Sequence, residues 1–419
     1  MKVAFKTLGC KVNQYETYAI AQEFRGHGFD IVGFEEDADI YIINTCAVTQ
    51  TAEKKSRQMI RHVSKKGFTV VTGCGVEESP LSYFSIEGVD LVVGNVDKDL
   101  IYKLASERQR GIFLNKEWHR RYTYFNFPSY TEKTRAYIKI QDGCNRFCAY
   151  CKIPYFRGGE RSRDPDDFFL ELESLLKRGF KEINLLGINL GTYNYKGYRL
   201  YDLLKDLEEL EGEFWIRLSS IEPEDVRALF PIIEDAKKLV PHIHIPLQSG
   251  DNDILEKMRR GYTREFFTEL VNDLRKISPY ISITSDIIVG FPGEEREHFL
   301  NSYELLERLK LYKFHIFPYS RRENTPAYYM SDDVSKKEKT ERVNILKKLR
   351  DELMLEYHKR FIGKKIKVLV EGLRSEKIPY GMSPYYFRVY IKNGQDISPG
   401  RFYTVYIEDI YSDGVVGEI

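Results

Sequence analysis

The feature that most limits how this chain can fold is a repeat of short apolar runs and amphipathic helical stretches, laid out twice along the sequence. In the first pass VAFKTL (3–8), DIYIIN (39–44), FTVVTG (68–73) and VDLVVGN (89–95) carry the dense apolar character of buried strands. Helical patterns at 15–25 and 51–64 separate them, with stop signals at Gly26, Gly28 and Gly67. Strands alternating with helices in this way predict an open parallel α/β unit.

The pattern restarts after residues 100–134, which read as a linker with some helix. AYIKIQ (136–141), EINLLG (182–187), FWIRLSS (214–220), HIHIPLQ (242–248), ITSDIIVG (283–290) and KFHIFPY (313–319) are strand candidates. Helical patterns follow at 165–178, 200–210, 224–240, 253–258, 264–277 and 295–310. Six repeats predict a partial (β/α)6 barrel, short of a closed (β/α)8 barrel. The strands run out into polar or Gly-rich segments such as LGINLGTYN, LSSIEPED, PLQSGDN and IVGFPGE, and that carboxyl face carries the chemistry of such barrels.

Residues 335–367 read as a basic helical stretch, either a solvated face or a track for a polyanion. The tail changes character: KIKVLVEG, YYFRVYIK and RFYTVYIEDI predict a small antiparallel β-barrel of OB type. Its aromatics, Tyr385, Tyr386, Phe387, Tyr390, Phe402, Tyr403 and Tyr406, alternate with basic residues such as Arg388 and Lys392. That alternation is either barrel core and exterior or a base-stacking surface. The expected domains are 1–120, 121–355 and 356–419, in an α/β chain overall.

Composition narrows the function classes. The chain has 419 residues, 42% hydrophobic and 30% charged, which excludes a disordered protein. A formal net charge of +1 leaves any nucleic-acid partner to local patches. The opening MKVAFKTLGCKVNQ lacks the apolar run of a signal peptide, and nothing approaches the roughly 20 apolar residues of a membrane span. A cytoplasmic monomer without a membrane partner is expected. In that compartment the six cysteines point to metal or redox chemistry rather than disulfides.

Those cysteines form two triads. Cys10, Cys46 and Cys74 each follow the carboxyl end of a predicted strand, so one sheet edge brings them together where ligands bind. Cys144, Cys148 and Cys151 lie in DGCNRFCAYC, spaced C-x3-C-x2-C after the first barrel strand. A closed zinc site needs a fourth Cys or His, and the flanking histidines are as distant as His119 and His242. A cubane iron–sulfur cluster also takes four thiolates, so three leave one iron open to an exchangeable ligand.

C-x3-C-x2-C resembles the signature of the radical S-adenosylmethionine (SAM) superfamily. TLGCKVNQYET, INTCAVT and VTGC resemble the N-terminal motifs of the methylthiotransferase family within it. IKIQDGCNRFCAYCKIPYFRG, LSSIEPEDV, HIPLQSGDNDILEKMRRGYTREFF and DIIVGFPGE follow in that family's order. The C-terminal segment is similar to its RNA-binding TRAM domain. CKVNQYET, IEPED and FPYSRRENTPA look most like the MtaB group, which acts on N6-threonylcarbamoyladenosine at position 37 of tRNA. Two departures stand out: Gly75-Val76-Glu77 replaces the usual aromatic-Ala-Gln, and Lys152 replaces an apolar residue.

The resemblance implies two [4Fe-4S] clusters. Cys144, Cys148 and Cys151 hold the one that binds and splits SAM, and Cys10, Cys46 and Cys74 hold an auxiliary one. One SAM methylates sulfur on the auxiliary cluster. A second yields the 5′-deoxyadenosyl radical that takes hydrogen from C2 of the adenine, which then receives the methylthio group. Expected SAM contacts are Tyr150, Gly187, Glu222, Gln248, Arg260, Ile288, Gly290 and Phe317. Alternatively the glycines only make turns, Arg260 pairs with Glu256, and Glu222 only begins a helix. Arg321 and Arg322, with Lys347, Lys348, Lys364, Lys365 and Arg388, are the expected contacts to the tRNA and its anticodon loop. A reducing donor such as flavodoxin or ferredoxin and a sulfur source complete the implied partners. The alternatives are isopentenyladenosine tRNA, an aspartate of a ribosomal protein, or an RNA-binding protein whose clusters are structural or redox-sensing.

Overall fold

The computed structural model describes residues 1–47, 49–115, 122–125, 134–374, 378–392 and 396–419. The expected boundary at 120/121 lies outside them.

The N-terminal unit is a six-stranded parallel sheet. Its strands are β1 (Lys2–Thr7), β2 (Asp30–Val32), β3 (Ile40–Thr45), β4 (Phe68–Gly73), β5 (Val89–Val93) and β6 (Gly111–Phe113), in the order β2-β1-β3-β4-β5-β6. Alternate strand residues supply two apolar faces. Val3, Ile40, Ile42, Val70 and Leu91 pack under α1 (Lys11–Gly26) and α5 (Ile101–Ser106). Ala4, Tyr41, Ile43, Val71 and Val92 pack under α2 (Gln50–Val63) and the short helices α3 (Cys74–Glu78) and α4 (Pro80–Phe84). Both faces are covered, which is why these strands read as unbroken apolar runs. The three-residue edge strands β2 and β6 carry no such run and leave little trace in the sequence.

Six parallel strands follow: β7 (Arg135–Lys139), β8 (Glu182–Leu186), β9 (Trp215–Leu218), β10 (His242–His244), β11 (Ser282–Val289) and β12 (Lys313–Pro318). They form two three-stranded sheets, joined by a parallel bridge between Ser220 and His244. This is the expected partial barrel. Ile138, Leu185, Ile216, Ile283 and Phe314 point outward into the helical layer.

The helix expected at 224–240 is not continuous. It breaks into Pro223–Val226, a 3-10 turn and Phe230–Asp235, where Pro231 lacks an amide to donate. Leu239 instead bridges to Ile216 as an added piece of strand.

The helix Lys336–Lys359 spans residues 355 and 356 and sends Tyr357 into the core of the terminal barrel. That barrel is closed and five-stranded, with one parallel pair, Arg388–Ile391 with Gly414–Glu418, among antiparallel neighbours. Phe387 and Tyr390 are core residues. Phe402 packs on Trp215 of the central barrel with ring centroids 4.7 Å apart, and Tyr386 stacks on His242 at 4.3 Å. These four rings are therefore spent on folding and docking rather than on an open base-stacking surface.

Candidate active site: two thiol triads

The first triad follows from strand order. β1, β3 and β4 are neighbours, with Thr7 level with Asn44 and Thr45 level with Gly73. The chain leaves the three strands side by side, and Cys10, Cys46 and Cys74 come within the next three residues of each. Cys46 lies against Gly9, where an added side chain would meet its Sγ at 3.2 Å. Asn13 fixes this edge: its amide donates to the carbonyls of Leu8 (2.9 Å) and Thr45 (3.1 Å). Burial pushes the Cys74 thiol up to about 11; Arg157 and Lys98 pull it down, while the Cys10 and Cys46 thiols push it up. Cys10 is exposed, whereas Cys46 and Cys74 are buried.

The second triad sits beyond β7. Gly143 takes φ +76 with its Cβ position 2.0 Å from the Gly159 carbonyl, so only glycine fits the turn into Cys144. The Cys144 amide donates to Gly158 O (2.9 Å) and the Cys151 amide to Cys148 O (3.0 Å). Burial pushes Cys144 up to about 11 and Cys151 up to about 12, each also raised by the neighbouring Cys148. Arg260 donates to Cys148 Sγ at 3.2 Å.

The first triad packs against the helix that follows the second. Cys74 packs with Ala47 and with Phe156, which lies on α6 (Ile153–Arg157) directly after the second triad. Arg157 on the same helix reaches Asn13 (2.7 Å), Glu16 (2.8 Å) and Asp142 (3.0 Å). Lys98 and Lys139 also bind Glu16. Burial alone would raise Glu16, but Arg157, Lys98 and Lys139 hold it well below the usual carboxylate range. Local sequence patterns give no sign of this network, because its members lie up to 144 positions apart.

The expected SAM contacts divide. Arg260 pairs with Glu222, not Glu256, and so ties the loops after β9 and β10 to the triad. Tyr150 packs edge-on to Phe291 in a cluster that Ile288 joins. Gln248 holds a left-handed φ of +64, its amide donating to Asp286 O (2.8 Å) and its carbonyl accepting from Ile288 N (3.0 Å). Phe317 is exposed. Two glycines are already covered by protein. At Gly187 an added side chain would meet Gln141 Oε1 at 3.0 Å, and the Gly187 amide donates to Ser219 Oγ (3.1 Å). At Gly290 the Lys339 stem comes within 2.4 Å of the Cβ position. One residue had no advance signal: Asn189, whose Oδ1 is buried without a hydrogen-bond partner beside the Gln141 carboxamide.

Among the expected RNA contacts, Arg321, Lys347, Lys348, Lys364 and Lys365 are exposed, and half-exposed Arg388 pairs with Asp413. Arg322 departs from expectation. It is buried and ion-paired to Glu53 (3.2 Å) and Glu78 (2.5 Å), a strut between the barrel and the N-terminal unit rather than a phosphate contact. Lys152 joins it: its ammonium binds Glu78 (3.0 Å) and Glu323 O (2.7 Å). The unusual Lys152 is thus paired with a carboxylate on α3, the helix that also carries the unusual Gly75-Val76-Glu77. Among the described residues no helix is long and apolar enough to cross a membrane.

Three soft thiol donors at each of two turns suit iron–sulfur ligation with one position left over. The profile of the Radical SAM superfamily matches residues 138–306, and that of an uncharacterized protein family, UPF0004, matches residues 2–94. The chain is 42% identical over 412 residues to the threonylcarbamoyladenosine tRNA methylthiotransferase MtaB of Bacillus subtilis, covering 94% of this chain and 91% of that one. It is 36% identical to the MtaB of Thermotoga maritima, covering 99% and 96%. It is 34% identical to a tRNA-2-methylthio-N(6)-dimethylallyladenosine synthase of Natranaerobius thermophilus, covering 95% and 88%. In fold it is similar to the radical S-adenosylmethionine methyltransferase TsrM of Kitasatospora setae, with a TM-score of 0.57 at 14% identity over 78% of this chain and 76% of that one. With both profiles in place and full-length relatives above 30% identity, the chain belongs to the radical SAM tRNA methylthiotransferase family.

Proposed function

We propose that this enzyme transfers a methylthio group to C2 of N6-threonylcarbamoyladenosine at position 37 of tRNA. The observation that supports the reading is the contact of Cys74 with Phe156, which sets the first triad against the helix that follows the second. Cys144, Cys148 and Cys151 would hold the [4Fe-4S] cluster that serves SAM, and Cys10, Cys46 and Cys74 would hold a second. When bound, the clusters and SAM supply a methyl group, a transferable sulfur and a hydrogen-abstracting radical. The protein's part is positional. Asn13 and Arg157 tie together the segments that carry the two triads. Arg260 and Glu222 set the polar wall beside Cys148. Tyr150, Gln248, Ile288 and Phe317 line the carboxyl face where SAM lies. Gly187 and Gly290 act there through the turns they make, and Asn189 offers an unused acceptor.

Support for the threonylcarbamoyl substrate comes from the upper end of the identities. Relatives named MtaB stand at 33 to 42%, and those named tRNA-2-methylthio-N(6)-dimethylallyladenosine synthase at 34 to 35%. The anticodon arm lies along Arg321, Lys347, Lys348, Lys364 and Lys365, held by phosphate contacts. The work divides among 1–120, 121–355 and 356–419, with Lys336–Lys359 bridging the last two. A flavodoxin or ferredoxin supplies electrons, and a separate source replaces the sulfur.

The test is anaerobic reconstitution with iron and sulfide, then SAM, reductant and tRNA bearing either threonylcarbamoyl- or isopentenyladenosine, with nucleosides read by mass spectrometry. A methylthio product from the threonylcarbamoyl tRNA alone is expected. Product only from the isopentenyl tRNA overturns the substrate assignment. Cys74→Ala is expected to bind about half the iron and to cleave SAM without methylthiolation. Cys148→Ala is expected to lose SAM cleavage as well.

A further inference from the structure

The inward face of the central barrel is polar. Thr284, on β11, receives ring nitrogens of both His242 (3.1 Å) and His244 (2.9 Å), and His244 also meets Asp286 (3.2 Å). On β12 the residues level with Thr284 and Asp286 are Lys313 and His315, which therefore share this face. A turn of the terminal barrel closes the amino end of the lumen. Tyr386, at φ +69, stacks on His242, and Arg217 donates to the Ser383 carbonyl at 3.3 Å. From the N-terminal unit Lys11, the residue after Cys10, reaches within 5.8 Å of the Tyr386 ring.

The charges here do not balance. Arg217 is paired to Glu182 (3.0 Å) and Arg135 to Glu371 (2.8 Å). Lys11 and Lys313 have no carboxylate partner among the described residues. Lys11 first, with Arg217, Arg135 and Lys313, pulls the Tyr386 phenol below its ordinary value against the effect of burial, so both lysines contribute positive potential at that ring. Lys11 and Lys313, both only partly buried, thus add two cations without carboxylate partners at this end of the lumen, and such a local positive field draws an anion.

We propose that Lys11 and Lys313 form a carboxylate subsite for the substituent on N6 of the substrate adenosine, with His244 and Asp286 placed for its hydroxyl. The inference rests on the reading above and deepens it. C2 and the N6 substituent sit on different edges of the adenine ring. With C2 at the cysteine edge, the substituent is directed away from it, into the barrel. A threonylcarbamoyl group ends in a carboxylate and a hydroxyl, which this lumen can pair. An isopentenyl group would leave both ammoniums desolvated and unmatched. Lys11 links the two events, because the backbone that carries Cys10 also carries the charge that reads the substituent.

The test compares substrates on one protein. Reconstituted full-length enzyme is given tRNA bearing threonylcarbamoyladenosine and the same tRNA with the threonine carboxylate converted to its neutral amide. The wild type is expected to favour the acid about tenfold or more in kcat/KM, carried by KM. Lys313→Met and Lys11→Met are expected to bring that ratio toward one, and Lys313→Arg to restore it. A variant that folds poorly lowers both rates and leaves the ratio intact, so misfolding does not imitate the effect. A wild-type ratio of one, or an unchanged ratio in both Met variants, overturns the subsite while leaving the proposed reaction standing. A wild type that acts only on isopentenyl tRNA overturns both.

Discussion

Arg157 on α6 of the central barrel donates to Glu16 on α1 of the N-terminal sheet at 2.8 Å, and both side chains are buried. The pair joins the two units beside Phe156, which packs on Cys74 of the first triad. It lies in a low-dielectric setting with Lys98 and Lys139, so each charge there depends on the others.

Glu16→Ala leaves three buried cations with Asp142 as the remaining nearby carboxylate. The expected cost is about 3–5 kcal/mol of unfolding free energy. Glu16→Gln keeps the shape but not the charge and recovers little of it. Lys98→Met is milder, because Arg157 and Lys139 still neutralise Glu16. Urea unfolding of the three variants gives the ranking; equal stability for Glu16→Ala and wild type would refute the account.

Gly73 is the residue on which Cys74 turns. It holds φ +101, and a Cβ would lie 2.4 Å from Thr45 O and 2.6 Å from Thr45 N. Gly73→Ala therefore meets strain and a backbone clash that no side-chain rotation relieves. A loss of about 3 kcal/mol or more is expected, at the upper end of what a strained backbone costs. Iron content should fall toward that of Cys74→Ala. Full iron loading at unchanged melting temperature would contradict the geometry.

The strands and the triads were legible because both are local. An apolar run such as DIYIIN announces a strand buried on both faces, and a cysteine just past it lands on the sheet edge whatever the tertiary details. Position 322 was misread because its neighbours suggest an exposed basic loop, while its partners Glu53 and Glu78 lie 269 and 244 positions away. Tyr386 was ambiguous for the same reason. Alternation marks it as one face of a small barrel, but nothing nearby says that the face meets His242. The helix expected at 224–240 breaks because Pro231 starts a new helical segment and has no amide to donate to the preceding turn. Long-range charge pairing and domain docking are what a single sequence conceals.

Lys152 and Arg322 share Glu78, and the sharing makes their substitutions unequal. Lys152→Leu leaves Glu78 paired with Arg322 and returns an apolar side chain to a buried position, so a change within about 1 kcal/mol is expected. Arg322→Ala strips a partner from both Glu53 and Glu78 and is expected to cost about 2–3 kcal/mol. Combined with Glu78→Leu, the Lys152→Leu penalty should shrink further. Denaturant melts of the four proteins check the order; a Lys152→Leu cost equal to that of Arg322→Ala would mean that Glu78 is held mainly by Lys152.

His358 gives the terminal barrel a pH-dependent attachment. It is buried, 3.1 Å from the Tyr312 hydroxyl and against the Phe387 ring. Burial pushes its pKa down to about 4, with Asp413 opposing and Lys313 assisting. The folded protein therefore keeps the imidazole neutral at pH values where the unfolded chain has already taken a proton. Above the unfolded value near 6.5 the two states hold the same proton count and stability does not depend on this group. As pH falls from about 6.5 to about 4 the unfolded state gains the extra proton and stability is lost, by an amount on the order of 3 kcal/mol, levelling off below the folded pKa. His358→Leu removes the titration. It should cost about 1 kcal/mol at pH 7.5, for the unpaired Tyr312 hydroxyl, and then lose less stability than the wild type on acidification. The difference between the two urea profiles isolates His358 from every carboxylate that titrates in the same range, since those are common to both proteins. Profiles that stay parallel from pH 7.5 to pH 4.5 would mean that the imidazole reaches water in the folded state.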